Sequence, residues 1–401
     1  MIDLIKLRAL MEEQQLDAMI ASSPENFCYT TGMPSTMLSS SRQSGVTSVV
    51  IPKRADLKPC LICMDFEMPA FVGKVDGFDI APYETWIGAK DWDDVVNNVA
   101  VDKKKPLQFE TSLKMLSDVV SSMGLSSGKI GVEQNFLTCA YYSKLLSYLD
   151  KAVLVDCAPL FIRMRSVKTP AEIELFRDMC RVTSDAYWHL APHVKAGATE
   201  LELLKIYRAK VFASEGMYVP CTTGSCFVLS GANGARAGLS SDKAVQDGEV
   251  IRFDGGIQCA YHFYNTDVCC TWPIGNVDKR LLEIKDTLFE AQHRAIEKMK
   301  PGVPINEIFH TAYDYVKKKY PWYERGHTGH SISMGPFGEE APFVSPGETR
   351  PLEPGMILNI EPPCYIRGVA GFNIEDMVLV TETGVEVLTH LPHYLDGEKK
   401  R

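Results

Sequence analysis

A chain of 401 residues is long enough for two ordinary domains. Hydrophobic content of 45% and charged content of 23% are those of a soluble globular protein. A formal net charge of −9 argues against nucleic acid, which needs a basic surface, and no apolar run reaches the length of a membrane span.

The opening MIDLIKLRALMEEQQ reads as an amphipathic helix with acids in it, without the apolar centre or small-residue cleavage site of a signal peptide. A cytoplasmic location is therefore expected. The twelve cysteines show no zinc-ribbon spacing, and in a reducing compartment they read as small buried hydrophobes. Strand-like runs follow at Leu16 to Ser22, Val46 to Ile51, Cys60 to Cys63 and Lys129 to Glu133, alternating with helical stretches. This is an α/β domain over residues 1–160 with no catalytic cluster. Tyr29 and Arg42, beside a Gly-containing loop, are read as loop supports rather than substrate contacts. Ala158 to Lys168 links to a second domain over residues 161–401.

The second domain repeats itself. Thr169-Pro170-Ala171-Glu172 starts a helix with a capping Thr, Pro in the first turn and an acid near the positive end of the dipole. Thr199 and Glu202 have capping-box spacing at the start of the next. The pattern returns at Asp278 to Lys300 and again from Lys300. The offset holds at 105 to 108 residues: Gly197 to Gly302, Gly248 to Gly355, Asp254 to Glu361, Asp267 to Glu375. Four matching offsets favour an internal duplication of αα-then-ββ halves about a pseudo-two-fold axis, over unrelated acidic strand ends.

Such halves bring four carboxylates around one point. Desolvated carboxylates that crowd together need cations among them. Gly329-His330 lies on a strand-like segment and supplies a nitrogen ligand, whereas His327, three residues earlier on an extended chain, faces the other way. Oxygen ligands with one imidazole suit two divalent transition-metal ions, Mn²⁺, Co²⁺, Fe²⁺ or Zn²⁺. The expected ligands are Asp254, Asp267, His330, Glu361 and Glu375. Cys269-Cys270, beside Asp267, could be a second soft ligand set. Adjacent cysteines on a strand point to opposite faces, so the core reading is preferred.

Five segments resemble the pita-bread metallohydrolases: aminopeptidase P, prolidase, methionine aminopeptidase and creatinase. LDAMIASSPENFCYTTG is similar to the creatinase/prolidase N-terminal domain and IRMRSVKTPAEIELFR to the entry into the catalytic domain. FDGG…YNTDVCCTW, LEPGMILNIEPPCYI and FNIEDMVLVTETGVEVLT resemble the strands bearing the Asp and Glu ligands. The resemblance covers nearly the whole chain. It implies a creatinase-like α/β N-terminal domain, an α+β pita-bread catalytic domain with internal pseudo-two-fold duplication, and a homodimer. It also implies a metal-dependent, Xaa-Pro peptidase-like hydrolase that cleaves a C–N bond in a short peptide or small molecule with metal-activated water.

Some positions depart from the family pattern. Gly238 and Phe337 stand where peptidases carry histidines, and Asn373 where an Arg stands two before the last Glu. The two Asp ligands are two residues further apart, with His262 in the enlarged loop, which is read as a bulge that re-aims side chains. His262, His327, Glu339 and Glu340 are candidate replacements for the missing histidines, with His327, His262 and Glu340 taken as catalytic. Two other readings are a lyase similar to the family's dimethylsulfoniopropionate lyases and a binding protein on a retired enzyme fold. A retired site should lose its buried acids first. A creatine-type amidinohydrolase works without the metal and need not keep all five ligands.

Overall fold

The apolar runs of the first third fold into one sheet. The computed structural model describes residues 2–87, 90–100, 109–214, 218–220 and 226–395. The sheet's strands are β1 (Ala18–Ala21), β2 (Ser48–Pro52), β3 (Cys60–Met64), β4 (Asp79–Tyr83), β5 (Lys129–Val132) and β6 (Val153–Asp156). Their order is β4-β3-β2-β1-β5-β6, with β1–β2 and β2–β3 antiparallel and the other pairs parallel. β1, β2 and β3 are buried at every residue, which is why they read as continuous apolar runs. β4 and β6 are the edge strands. Asp79, Pro82 and the exposed Val153 mask them in the sequence.

Cys60 and Cys63 are three apart on β3, so their thiols lie on opposite faces of the sheet. Both are buried, and burial pushes them up to about 11 and about 12, which keeps them as inert thiols. Arg42 pairs with Glu25 at 2.6 Å and Tyr29 is buried, in keeping with loop support.

The chain divides into two compact units, Met1–Met164 and Arg165–Arg401, and most of the segment read as a link is the helix Ala158–Arg165. In the second unit the strands are β7 (Tyr218–Pro220), β8 (Phe227–Ser230), β9 (Val250–Asp254), β10 (Ile257–Cys259) and β11 (Cys269–Pro273) in one half. The other half has β12 (Gly329–Ile332), β13 (Glu339–Phe343), β14 (Ile357–Ile360), β15 (Cys364–Ile366), β16 (Ala370–Phe372), β17 (Asp376–Val380) and β18 (Val385–Val387). The main sheets run β11-β9-β8 and β13-β12-β14-β17-β18.

The duplication is visible in the backbone. Helices Pro170–Leu190 and Glu200–Phe212 precede the first sheet, and Lys279–Lys298 and Ile305–Lys319 precede the second. Gly197 and Gly302 have φ of 88° and 85°, and Gly248 and Gly355 have 84° and 89°. This left-handed turn suits a residue without Cβ, so the glycines recur because the chain turns alike in both halves. Isolated bridges Thr199↔Ala244 and Pro304↔Pro351 recur at the same places. Thr169 and Thr199 both form capping boxes, with Glu172 and Glu202.

Antiparallel pairing sets Asp254 opposite Cys269 in the first half and Ile360 opposite Asp376 in the second. A two-way backbone bridge between Cys269 and Glu375, at 3.4 and 3.1 Å, joins the two sheets at the acid-bearing ends. Beneath the second sheet, Leu288, Ile308, Leu358, Ile360, Phe372 and Val378 belong to one buried apolar cluster. Among the described residues no helix is long and apolar enough to cross a membrane.

Candidate metal centre

Where β9, β11, β14 and β17 converge, their ends line a cavity of about 510 Å³. Asp254, Asp267, His330, Glu361 and Glu375 all face it, with Glu339, Phe337, Tyr365 and the arginines 236, 252 and 325. Asp267, His330 and Glu375 each offer one ligand atom within 4.8 Å of the others, and among the described residues no other such group of three exists. His330 Nε2 lies 3.6 Å from Glu375 Oε1 and 3.8 Å from Glu361 Oε1.

The tautomer follows from a backbone contact. His330 Nδ1 is 3.0 Å from the Ser331 carbonyl, which can only accept, so Nδ1 carries the proton. In the neutral ring Nε2 then turns a lone pair toward two carboxylates. Lone pairs that converge in this way need a cation between them. The carboxylates say the same. Burial, then the Glu375 charge, pushes Asp267 well above the usual carboxylate range; burial, then Glu361, does so for Glu375. Asp254 and Glu361 are also raised, chiefly by burial. These donors fit a divalent ion.

Two amides hold the acids in place. Asn359 Nδ2 donates to Glu375 Oε1 at 2.5 Å and to the Asp267 carbonyl at 2.7 Å. Asn373 Nδ2 donates to Glu361 Oε2 at 2.9 Å and Glu375 Oε2 at 3.2 Å. Asn373 thus keeps a donor, without the charge, at the position where the resemblance implies an arginine. Gly338 has to be glycine here, because a Cβ would come within 2.4 Å of Asp267 Oδ2.

The other predicted residues separate. His327 reaches the site, with Nδ1 3.8 Å from Glu361 Oε1 and Nε2 3.9 Å from Glu339 Oε2. The expectation that it faces away assumed an extended chain. Gly329, at φ 151°, breaks that alternation. Glu340 does not reach the cavity: it is buried in a two-pronged ion pair with Arg165 at 2.7 and 3.2 Å. The adjacent Glu339 lines the cavity instead. His262 is not among the lining residues either. Its loop is not a bulge but a turn, in which Cys259 and Tyr264 pair through their backbones and Phe263 is left-handed at φ 58°. The turn grips the segment that carries Phe337. Gln258 and Asn265 donate to the Gly335 carbonyl at 2.7 and 2.8 Å, and Gly335 N donates to the Phe263 carbonyl. The observed register irregularity lies between His330 and Ser331. Near Gly238, the residues that face the cavity are Ala235, Arg236 and Ala237. Cys269 and Cys270 are fully buried, and burial raises both thiols.

Sequence reading missed two arginines. Arg252 Nη1 is 2.7 Å from Asp254 Oδ2. Arg325 has no hydrogen bond or ion pair with any described residue, and its Nε is buried without a partner. Both guanidinium groups approach the Tyr365 ring, at 5.1 and 5.8 Å from its centroid. Alternation in VIRFD was the available signal for Arg252, since residues two apart on a strand share a face.

Residues 174–382 match the model of metallopeptidase family M24, and residues 4–167 match the creatinase/prolidase N-terminal domain. The chain belongs to family M24. It is a metallohydrolase with the creatinase N-terminal domain ahead of the catalytic one. The uncharacterized peptidase YqhT of Bacillus subtilis (strain 168) is 30% identical over 291 residues, 71% of this chain and 78% of that protein. An uncharacterized peptidase of Staphylococcus aureus (strain USA300) is 30% identical over 65% of this chain and 73% of its own. Among solved structures, an Xaa-Pro dipeptidase from Bacillus anthracis matches with TM-score 0.79 at 23% identity over 98% of both chains. A prolidase from Pyrococcus furiosus matches at 0.74 and 22% identity, over 96% of this chain and 99% of its own. Likeness at that level establishes the shared two-domain fold.

Proposed function

We propose that this M24 protein is a metal-dependent, Xaa-Pro peptidase-like hydrolase that cleaves the C–N bond of a small substrate with an anionic end. The observation that carries the reading is the meeting of Asp267, His330 and Glu375 ligand atoms within 4.8 Å, with Nδ1 of His330 against the Ser331 carbonyl and Nε2 turned toward the acids. Asp254, Asp267, His330, Glu361 and Glu375 are the candidate ligands. Those residues would hold a divalent ion, which would supply a more acidic water and a Lewis acid for a carbonyl.

The remaining roles fall to the surrounding side chains. His327 lies between Glu339 and Glu361, and burial, then the charge of Arg325, lowers it below the ordinary histidine value. It is therefore neutral at pH 7 and able to take a proton from the attacking water and pass it toward the leaving nitrogen. Arg325 is a cation at the cavity with no hydrogen bond or ion pair among the described residues, suited to a substrate carboxylate. Phe337 and Tyr365 offer apolar walls to a ring such as proline.

The test is an assay of Mn²⁺- or Co²⁺-supplemented protein on dipeptides with proline in the second position, beside dimethylsulfoniopropionate. Release of a free amino acid is expected. Dimethyl sulfide in its place would establish the lyase reading, and no product from either would overturn the peptidase one.

A further inference from the structure

The four acids are not held alike. Asp267, Glu361 and Glu375 converge on His330 Nε2 or on one another, with amide donors behind them. Asp254 and Glu361 both lie outside the three-way group of Asp267, His330 and Glu375, but Glu361 is 3.8 Å from His330 Nε2, whereas Asp254 Oδ2 accepts from Arg252 at 2.7 Å. Arg252 is a fixed cation. Its side chain is 4% exposed and that of Asp254 16%. Its guanidinium lies between the rings of Phe227 and Tyr365, at 4.9 and 5.1 Å from their centroids. Nη2 also donates to the Arg236 carbonyl at 3.4 Å.

We infer that Arg252 stands in for a second metal ion: the centre holds one divalent cation among Asp267, His330, Glu361 and Glu375, while a guanidinium neutralises Asp254. This rests on the metal reading above and departs from the two-ion expectation. Charge supports it. Arg252 brings a full positive charge to Asp254 at 2.7 Å, while Asp267, Glu361 and Glu375 have no ion pair with an arginine or lysine among the described residues. Backbone geometry supports it too. Arg252 precedes Asp254 by two on β9 and so shares its face of the strand. The duplicated position, two before Glu361, is Asn359, which donates an N–H but brings no charge. The second half keeps its need for a metal, and the first has met part of its own with a side chain.

The experiment is a metal titration of the full-length chain. Mn²⁺ uptake is followed by calorimetry and elemental analysis, and the bound ion by electron paramagnetic resonance. Wild type should saturate at one equivalent with an uncoupled six-line signal. Arg252→Met, which keeps the aliphatic bulk but not the charge, should take a second equivalent and show spin coupling. Arg252→Lys should stay at one. Two coupled ions in wild type, or a folded Arg252→Met protein that still takes one, would overturn the inference. Should Arg252→Met not fold, Asp254→Asn decides: retained single-ion binding within a few-fold of the wild-type Kd supports the inference, and loss of binding overturns it. A wild-type protein that takes no metal sinks the metal reading itself, an outcome distinct from finding two ions.

Discussion

In the first half of the second unit, β9 delivers Asp254 with the Arg252 guanidinium, two residues before it, at 2.7 Å; in the second, β14 leads into Glu361, and the matching residue, Asn359, donates its amide to Glu375 instead. The glycine turns, the helix pairs and the isolated bridges recur in the same order in both halves. Backbone and charge have therefore diverged separately. A turn that needs a left-handed residue tolerates few substitutions, whereas a strand position that faces a cavity accepts any side chain that satisfies the acid beside it. The fold fixes where four carboxylates meet. Arg252 and Asn359, two positions before Asp254 and Glu361, differ in the charge they bring to the site.

The comparison breaks most easily at Glu375, which sits where the halves join. Glu375→Ala should abolish metal uptake and lower turnover by roughly a thousandfold or more, about 4 kcal/mol in barrier. Elemental analysis beside steady-state kinetics checks this, and an active, metal-loaded variant would place the centre elsewhere. Arg325→Met probes the cavity wall instead of the ligands. It should raise KM about tenfold for substrates with a free carboxylate and change kcat by less than about threefold. The same change should leave carboxamide-capped substrates unaffected. An equal loss on both would assign Arg325 to the scaffold.

The smallest effect is on stability. Asp267 and Glu375 have raised values in the folded chain, through burial and then neighbouring carboxylates. Stability from a raised acid is fully present below its unfolded value, near pH 4, and is lost as pH rises through the folded one. Chelated protein should therefore melt earlier at pH 8 than at pH 5. Mn²⁺ should restore more at pH 8, by on the order of 5 °C. Thermal scans with and without chelator measure this, and a Mn²⁺ increment that shrinks with pH would contradict it.

Much of this was legible in the sequence because duplication repeats the signal. Each half shows a glycine, an apolar run and an acid at a constant offset, so four of the acids that line the cavity, Asp254, Asp267, Glu361 and Glu375, could be named. What failed was local register. Two adjacent acids on β13 cannot both face the cavity: Glu339 lines it, while Glu340 meets Arg165. His262 looked informative for its residue type, yet its loop serves through Gln258 and Asn265, which hold a neighbouring turn. Arg252 was passed over because an arginine inside an apolar strand invites no reading until its partner is known. β4 and β6 escaped because edge strands need not be apolar.

The Cys269–Glu375 backbone bridge carries one more consequence. Neither half contains the centre by itself: each offers two acids at the margin of its own sheet, and the enclosure exists only once the margins meet. A cation held there would work as a clasp between repeats more than a hundred residues apart, closing only after both have folded. An ancestor with a single repeat could have enclosed a metal in this way only by pairing with its own copy, so fusion into one chain would have turned an encounter between molecules into a permanent fixture.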